Sequence, residues 1–226
     1  MKVIFFDLDD TLFDYSGSER AGAIKFFNHF RDDLNKDLNT FLDLWKTYTQ
    51  KHIQRWANKE ISFEQQRLER IREFFSRNMS DRDAENIFNV YSSYFKNNWK
   101  RFDDYSAVLD LKQDYELGII TDGPTAHQTD KLKKIGIIRD FSVIVTSEIA
   151  GYSKPDKRIF NHALKLLQCK PSDALYIGDN YEKDYMGSKS AGMHSLHLNR
   201  NMLTPDNDHS INTLKQIKDK IDEFNF

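Results

Sequence analysis

The chain has 226 residues, 39% of them hydrophobic, enough for a sizeable core as one domain or as one domain carrying an insert. Its 33 basic and 35 acidic residues give a formal net charge of −2, which disfavours nucleic acid as a partner. The first apolar run, residues 3–6, is too short for a signal sequence or a membrane span, so no membrane partner is expected either. Cys169 is the only cysteine, so no internal disulfide can form, and we predict a cytoplasmic protein.

A long helical block follows the first predicted strand. Ser16, Ser62 and Ser80 are plausible N-caps, the first two within capping-box patterns, and they predict that helices start there. Apolar and aromatic residues recur every three or four positions over residues 38–56, which predicts a single amphipathic helix. Residues 87–95 show the same spacing. The block therefore resembles an all-α bundle inserted after the first strand.

The pattern changes after residue 115 to short apolar runs that alternate with helical segments. Strands are predicted at residues 117–120, 143–145, 174–177 and 193–198, and helices at 125–135, 156–168 and 182–190. This alternation is typical of a parallel sheet with crossover helices, to which the first strand also belongs. The tail from Asn199 onward is predicted to be a loop followed by an amphipathic helix.

These elements predict an α/β fold with two parts. The first is a Rossmann-like, three-layer core with a parallel sheet in the expected order 3-2-1-4-5, and the second is an inserted all-α helical-bundle cap. We assign residues 1–14 and 103–226 to the core and residues 15–102 to the cap. The order places strands one and four side by side, so the residues after them meet at the carboxyl edge of the sheet, where ligands of such folds bind.

Three acidic residues, Asp7, Asp9 and Asp10, follow the first strand. In an extended segment the side chains of Asp7 and Asp9 point to one side and that of Asp10 points to the other. Asp7 and Asp9 are therefore the candidates for a joint functional role, and Asp10 is not. Such a concentration of like charge beside a buried sheet needs compensation. An acidic turn or a helix N-cap is the alternative interpretation of this segment taken alone.

Further candidate residues lie at the ends of later strands. Thr121 and Asp122 follow the second strand and precede a glycine. Lys154 precedes a proline that is suited to the first turn of a helix. Asp179 and Asp184 follow the fourth strand. Individually, a helix cap, a solvated surface lysine and a turn acid explain these residues as well.

Taken together, the four segments resemble the motifs of the haloacid-dehalogenase-like (HAD) superfamily of hydrolases. These are Asp-x-Asp-x-Thr from residue 7, Thr with Gly from residue 121, Lys-Pro at residue 154, and Gly-Asp with a further Asp from residue 178. The likeness covers residues 1–14 and about 103–200. It indicates the branch with a small α-helical cap after the first motif, which contains nucleotidases and other small-phosphomonoester phosphatases.

The resemblance implies a phosphomonoester hydrolase that acts on a small phosphorylated metabolite through an aspartyl-phosphate intermediate. Asp7 would be the nucleophile, and Asp9 would act first as a general acid and then as a base. Thr121, Asp122 and Lys154 would bind the phosphate and neutralise the charge of the transferring group.

The resemblance also implies a Mg²⁺ ion. Its ligands would be Asp7, the main-chain carbonyl of Asp9 and Asp179, with Asp184 holding a ligated water. Charge favours the same conclusion, because four carboxylates against Lys154 would repel a phosphate dianion unless a divalent cation were present. An all-oxygen ligand set suits Mg²⁺.

Other activities remain open at this point. A 2-haloacid dehalogenase of the superfamily lacks the second acid of the first motif, so Asp9 argues against it. A phosphonatase or a phosphomutase shares the motifs and differs mainly in the cap. A non-enzymatic binding or regulatory module would have lost a motif residue, and none is lost. We expect a nucleoside monophosphate as the substrate, with a sugar phosphate or a flavin precursor as the next candidates. We expect the protein to be a monomer or a homodimer.

Overall fold

The computed structural model describes residues 2–201 and 209–223. The chain divides into two compact units, one comprising the chain up to Asp14 and from Lys100 onward, the other Tyr15–Trp99. The second boundary lies after Trp99, whereas the sequence analysis placed it after residue 102. Among the residues described, no helix is both long and apolar enough to cross a bilayer.

The first unit is built on a parallel six-stranded sheet in the order β3-β2-β1-β4-β5-β6. The strands are β1 (Val3–Phe6), β2 (Glu116–Thr121), β3 (Val143–Thr146), β4 (Ala174–Gly178), β5 (His194–Leu198) and β6 (Ser210–Ile211). The predicted α/β class and the predicted order of the first five strands are confirmed. β6 was not predicted, because two residues are too few to form a hydrophobic pattern.

β1 lies inside the sheet, with β2 on one side and β4 on the other. All four of its side chains are fully buried, as expected for an apolar strand of a parallel sheet with both faces covered. Val3 and Phe5 belong to a core cluster with Ile120, Phe160 and Tyr176. Because β1 is paired on both edges and packed on both faces, the loop that follows it starts from a fixed position.

The second unit is a bundle of helices. They are α1 (Tyr15–His29), α2 (Arg31–Leu34), α3 (Leu38–Ala57), α4 (Phe63–Phe75) and α5 (Asp81–Asn97). α1 packs against α3 and α5, and α4 packs against the same two helices. The Trp45 ring lies 5.2 Å from Phe26, 4.5 Å from Tyr91 and 5.9 Å from Phe74 between centroids. The aromatic stripes of the sequence thus form the interior of this bundle.

Two helices of the bundle start at the predicted serine caps. Ser62 and Gln65 form a complete capping box at the start of α4. The Ser80 hydroxyl accepts the main-chain N–H of Asp83 at 3.2 Å at the start of α5. The predicted helix over residues 38–56 is likewise present as α3.

The N-cap predicted at Ser16 is wrong. α1 already begins at Tyr15, so Ser16 lies inside the helix. The preceding residue, Asp14, donates its N–H to the Lys100 carbonyl at 3.1 Å. The helix therefore starts where this long-range pairing ends, and the local Ser-x-x-Glu pattern does not determine it.

The helices of the first unit lie between its strands, except for the last one, which follows β6. They are α6 (Ser106–Leu111), α7 (Thr125–Lys134), α8 (Ser147–Ala150), α9 (Lys157–Leu166), α10 (Gly187–Ser190) and α11 (Ile217–Glu223). Short 3₁₀ turns lie at Asp103–Tyr105, Ile138–Asp140, Pro171–Asp173 and Leu214–Gln216. α7 and α9 confirm two predicted crossover helices, and α11 confirms the predicted tail helix. Part of the predicted tail loop, residues 202–208, lies outside the described residues.

The helix predicted over residues 182–190 is only partly confirmed. Its first part is a π-helix, Tyr181–Met186, which α10 continues. The Asn180 carbonyl accepts the N–H of Asp184 at 2.8 Å and that of Tyr185 at 3.3 Å, and the second bond closes the wider turn of a π-helix. The first turn of this segment places Asp184 beside the end of β4.

Candidate active site

Two neighbouring strands bring their terminal acids together. The Asp7 N–H donates to the Ile177 carbonyl at 2.9 Å, which continues the pairing of β1 with β4 beyond Phe6. Asp179 follows β4 directly. Carboxylate oxygens of Asp7, Asp179 and Asp184 all lie within 4.8 Å of one another. The structure thus unites three of the four residues that the sequence analysis assigned to a metal.

Lys154 joins two of these acids. Its ammonium lies 2.6 Å from Asp7 Oδ1, 2.7 Å from Asp184 Oδ1 and 3.2 Å from the Tyr176 hydroxyl, so each of its three protons has an acceptor. Burial alone lowers the pKa of the Lys154 ammonium, but the charges of Asp184 and Asp7 outweigh burial and hold that pKa well above its usual value. Lys154 is therefore a permanent positive charge at neutral pH.

The single positive charge of Lys154 does not balance the negative charges of Asp7, Asp179 and Asp184. Burial raises the pKa of Asp7 well above its usual range, Lys154 offsets part of that effect, and the charges of Asp184 and Asp179 add to it. Burial, followed by the charges of Asp184 and Asp10, raises the pKa of Asp179 to about 7. Carboxylate oxygens are ligands that a small divalent cation such as Mg²⁺ prefers. The donor set and its excess negative charge therefore fit such an ion.

Asp9 has different partners. Its two oxygens lie 2.6 and 2.8 Å from the Lys131 ammonium, and the Gln128 amide donates to one of them at 3.2 Å. Both partners belong to α7 and are 1% exposed. Neither residue was predicted from the sequence. Lys131 stands close to Lys133 and Lys134 in a run typical of a solvated helix face, and no local pattern marks it as buried.

The residues predicted to bind phosphate lie at the end of β2 and before α9. The Thr121 hydroxyl accepts a hydrogen bond from the Gln128 amide at 2.7 Å. Asp122 Oδ1 accepts the main-chain N–H of Lys154 at 3.0 Å, so the Asp122 side chain supports the loop that carries the lysine. Through Gln128, Thr121 is connected to Asp9. The second and third motifs of the sequence thus converge on the acids of the first.

Asp184 is completely buried and held from several sides. The Asn180 N–H donates to its Oδ2 at 3.0 Å, while Lys154 lies at its Oδ1. Gly178 leaves no room for a side chain, because a Cβ there would lie 2.5 Å from Asp184 Oδ2. The Tyr176 hydroxyl lies 3.1 Å from Asp184 Oδ1. Tyr176 was missed because it stands within the apolar run of β4, where an aromatic residue indicates core.

The fold and the site define a Rossmann-like α/β enzyme whose acids and lysine meet at the carboxyl edge of its sheet. The family model of haloacid dehalogenase-like hydrolases matches residues 1–192, so the chain belongs to that family. The superfamily predicted from the four motifs is therefore confirmed, as is the prediction of a hydrolytic enzyme.

Relatives from archaea match most of the chain. A glyceraldehyde 3-phosphate phosphatase of Methanothermobacter thermautotrophicus is 28% identical over 217 residues, covering 92% of this chain and 90% of that protein. A second, from Pyrococcus furiosus, is 30% identical over 202 residues, covering 87% and 80%. Family and relatives together confirm the prediction of an enzyme of the HAD-like phosphatase type.

A solved structure shows the same fold over the whole chain. It is that of the HAD-hydrolase YfnB from Bacillus subtilis bound to magnesium. The TM-score is 0.77 at 21% identity, and the alignment covers 100% of this chain and 99% of the other.

Proposed function

We propose that the protein is a Mg²⁺-dependent phosphomonoester hydrolase in which Asp7 attacks phosphorus. One observation carries the proposal: the carboxylate of Asp7 lies at the end of β1, 2.6 Å from the Lys154 ammonium and within 4.8 Å of oxygens of Asp179 and Asp184. A nucleophilic carboxylate, a fixed ammonium and oxygen ligands for a hard cation thus lie together at one edge of the sheet. This is the set of groups that phosphoryl transfer to a carboxylate requires.

The residues that would hold Mg²⁺ are Asp7 and Asp179, with the Asp9 carbonyl and Asp184 as further ligands, directly or through water. When bound, the ion supplies positive charge that lets a phosphate dianion approach the acids. Lys154 contributes a second positive charge at the same place. Because both favour the ionised form of Asp7, they counter the rise in the pKa of Asp7 that burial causes.

Asp7 attacks phosphorus, the bond to the leaving oxygen breaks, and the Asp9 carboxyl gives that oxygen a proton. Asp9 then takes a proton from a water molecule, which attacks the phosphorus of the aspartyl-phosphate. The bond between phosphorus and the Asp7 oxygen breaks, which releases inorganic phosphate and restores the Asp7 carboxylate. The Thr121 hydroxyl and the main chain beside it hold the phosphoryl oxygens. The Asp122 carboxylate is occupied by the Lys154 N–H, so Asp122 would contact phosphate through its main chain.

The relatives support a small sugar phosphate as substrate. Both archaeal relatives are named for glyceraldehyde 3-phosphate, and each matches more than four fifths of this chain. We therefore place a short-chain sugar phosphate first. The nucleoside monophosphate favoured by the sequence analysis stays a prediction and becomes the comparison substrate.

A substrate panel tests the proposal. The purified protein is assayed for phosphate release from glyceraldehyde 3-phosphate, longer sugar phosphates, nucleoside monophosphates and a flavin precursor phosphate, with Mg²⁺ and with EDTA. We expect turnover only with Mg²⁺, and faster turnover of the three-carbon ester than of nucleotides. Turnover that survives EDTA, or halide release from a haloacid without phosphate release, would contradict the proposal.

Variants test the mechanism. Asp7→Asn should abolish turnover, and Asp9→Asn should reduce it by about 10² to 10⁴-fold. Asp110→Asn is the matched control, because it makes the same chemical change at an exposed residue of α6, outside the candidate site. Mass spectrometry of acid-quenched wild type should find one phosphoryl group on the peptide containing Asp7. Full activity of Asp7→Asn excludes the covalent mechanism.

A further inference from the structure

We infer that Gln128 and Lys131 are positioning residues that hold the Asp9 carboxylate where it exchanges protons with the leaving oxygen and with water. The inference rests on the proposed function, in which Asp9 performs both proton transfers. It goes beyond that function because none of the four motifs contains these two residues. They come instead from α7, the helix that follows the second motif.

Lys131 is built into the site. The side chain is almost completely buried, yet its ammonium lies 2.6 and 2.8 Å from the two oxygens of Asp9. A buried ammonium is costly unless it is paired and hydrogen-bonded, so its position depends on this carboxylate. The Asp9 side chain is 31% exposed. One side of the carboxylate therefore faces solvent while the other is held by a rigid, buried donor.

This arrangement limits the freedom of Asp9. A half-exposed aspartate on a loop would otherwise sample several rotamers, and only some of them present an oxygen to the substrate. Two charge-assisted contacts to one ammonium select a single orientation. Proton transfer needs the acid within hydrogen-bond reach of the reacting oxygen, so this orientation contributes directly to the rate.

Gln128 contacts Asp9 as well, and it links Asp9 to the residues proposed to bind phosphate. Its amide nitrogen lies 3.2 Å from Asp9 Oδ2, 2.7 Å from Thr121 Oγ1 and 2.9 Å from the Asp122 carbonyl. Two amide protons thus serve three acceptors that belong to two different motifs. A displacement of Gln128 would change the distance between the group that moves the proton and the group that holds the phosphoryl oxygens.

The test compares two leaving groups. A nitrophenolate departs without protonation, whereas an alkoxide needs the acid. Because kcat/KM covers the steps up to departure of the leaving group and not the later attack of water, only kcat/KM for the alkyl phosphate reports on the position of Asp9. For Lys131→Met we expect kcat/KM to fall by about 10 to 100-fold with glycerol phosphate but by less than about threefold with nitrophenyl phosphate. Lys131→Arg, which keeps the charge, should recover part of the loss. Lys134→Met, an exposed lysine of the same helix, is the control and should match wild type.

A double-mutant cycle separates positioning from a general structural role. In an Asp9→Asn background, Lys131→Met should cause no further loss with the alkyl ester, because the group it positions is already absent. Equal losses with both esters, or losses that add to those of Asp9→Asn, would overturn the inference. If Lys131→Met does not fold by circular dichroism, Lys131→Gln, which removes the charge but keeps a polar end on the buried side chain, replaces it with the same expected selectivity.

Failure of the inference and failure of the proposed function give different results. If Asp9→Asn retains wild-type turnover of both esters, the proposed proton transfer is wrong, and the inference falls with it. If Asp9→Asn is impaired while Lys131→Met and Gln128→Met turn over the alkyl ester at the wild-type rate, only the inference is refuted.

Discussion

Replacement of Gly178 by alanine adds only one methyl group, yet it should displace Asp184 in the candidate site. An alanine Cβ there would lie 2.5 Å from Asp184 Oδ2 and 2.6 Å from Asp184 Cβ, against 3.4 to 4 Å for ordinary contact. The side chain of Asp184 would therefore have to move by roughly 1 Å. Such a shift stretches the bonds from Lys154 and from the Asn180 N–H that now hold the carboxylate.

For Gly178→Ala we expect turnover to fall by about 10²-fold, the loss associated with a 1 Å misplacement of an active-site group. The Mg²⁺ concentration needed for half-maximal activity should rise as well, because Asp184 is one of the proposed ligands. Overpacking should lower the free energy of unfolding by about 1 to 3 kcal/mol. Steady-state kinetics across a Mg²⁺ titration and urea unfolding measure the three quantities.

Gly136→Ala is the matched control. A Cβ at Gly136 would meet no heavy atom within 4 Å, but the residue has φ of +77°. The cost should therefore be backbone strain of about 1 to 2 kcal/mol, with unchanged turnover and Mg²⁺ requirement. If Gly178→Ala kept the wild-type turnover and Mg²⁺ requirement, the position of Asp184 would not matter to the site, and the reasoning would be refuted.

Two further predictions concern stability. The folded protein keeps a proton on Asp179 up to a pKa of about 7, whereas the unfolded chain has already lost that proton at lower pH. In EDTA, we therefore expect the difference in the free energy of unfolding, wild type minus Asp179→Asn, to fall as the pH rises from about 4 to about 7. Urea unfolding at several pH values measures the difference, and a rise over that interval would contradict the raised pKa. Ser62→Ala removes the capping box of α4, so the free energy of unfolding should fall by about 1 kcal/mol while kcat stays unchanged. A change in kcat would mean that Ser62 does more than cap this helix.

Most of the core was predictable because β1 to β4 are short, mainly apolar runs that end at or next to a polar residue. The run before Asp7 and the run before Asp179 were found independently, and their pairing followed from the expected sheet order. Asp7 is separated from Asp179 and Asp184 by most of the chain, yet all three acids follow a strand directly or closely. Local pattern and topology therefore predicted that these acids meet, and the resemblance to the four motifs predicted their roles.

The missed features depend on contacts that no local pattern contains. Lys131 differs from Lys133 only in the direction that its side chain takes from α7, and that direction brings it to Asp9. The start of α1 depends on the bond between Asp14 and Lys100, which are distant in sequence. The π-turn before α10 has no sequence signature separate from that of an α-helix.

The location of β1 between two later strands has a consequence for synthesis on the ribosome. Val3 pairs with Glu116 and with Ala174, so the strand is translated roughly 110 and 170 residues before its two partners. During that interval four consecutive apolar side chains have no sheet to join, and such segments tend to aggregate. The acidic residues that immediately follow them act as charged gatekeepers. We therefore expect the carboxylates whose charges repel one another in the folded site to reduce aggregation of the nascent chain.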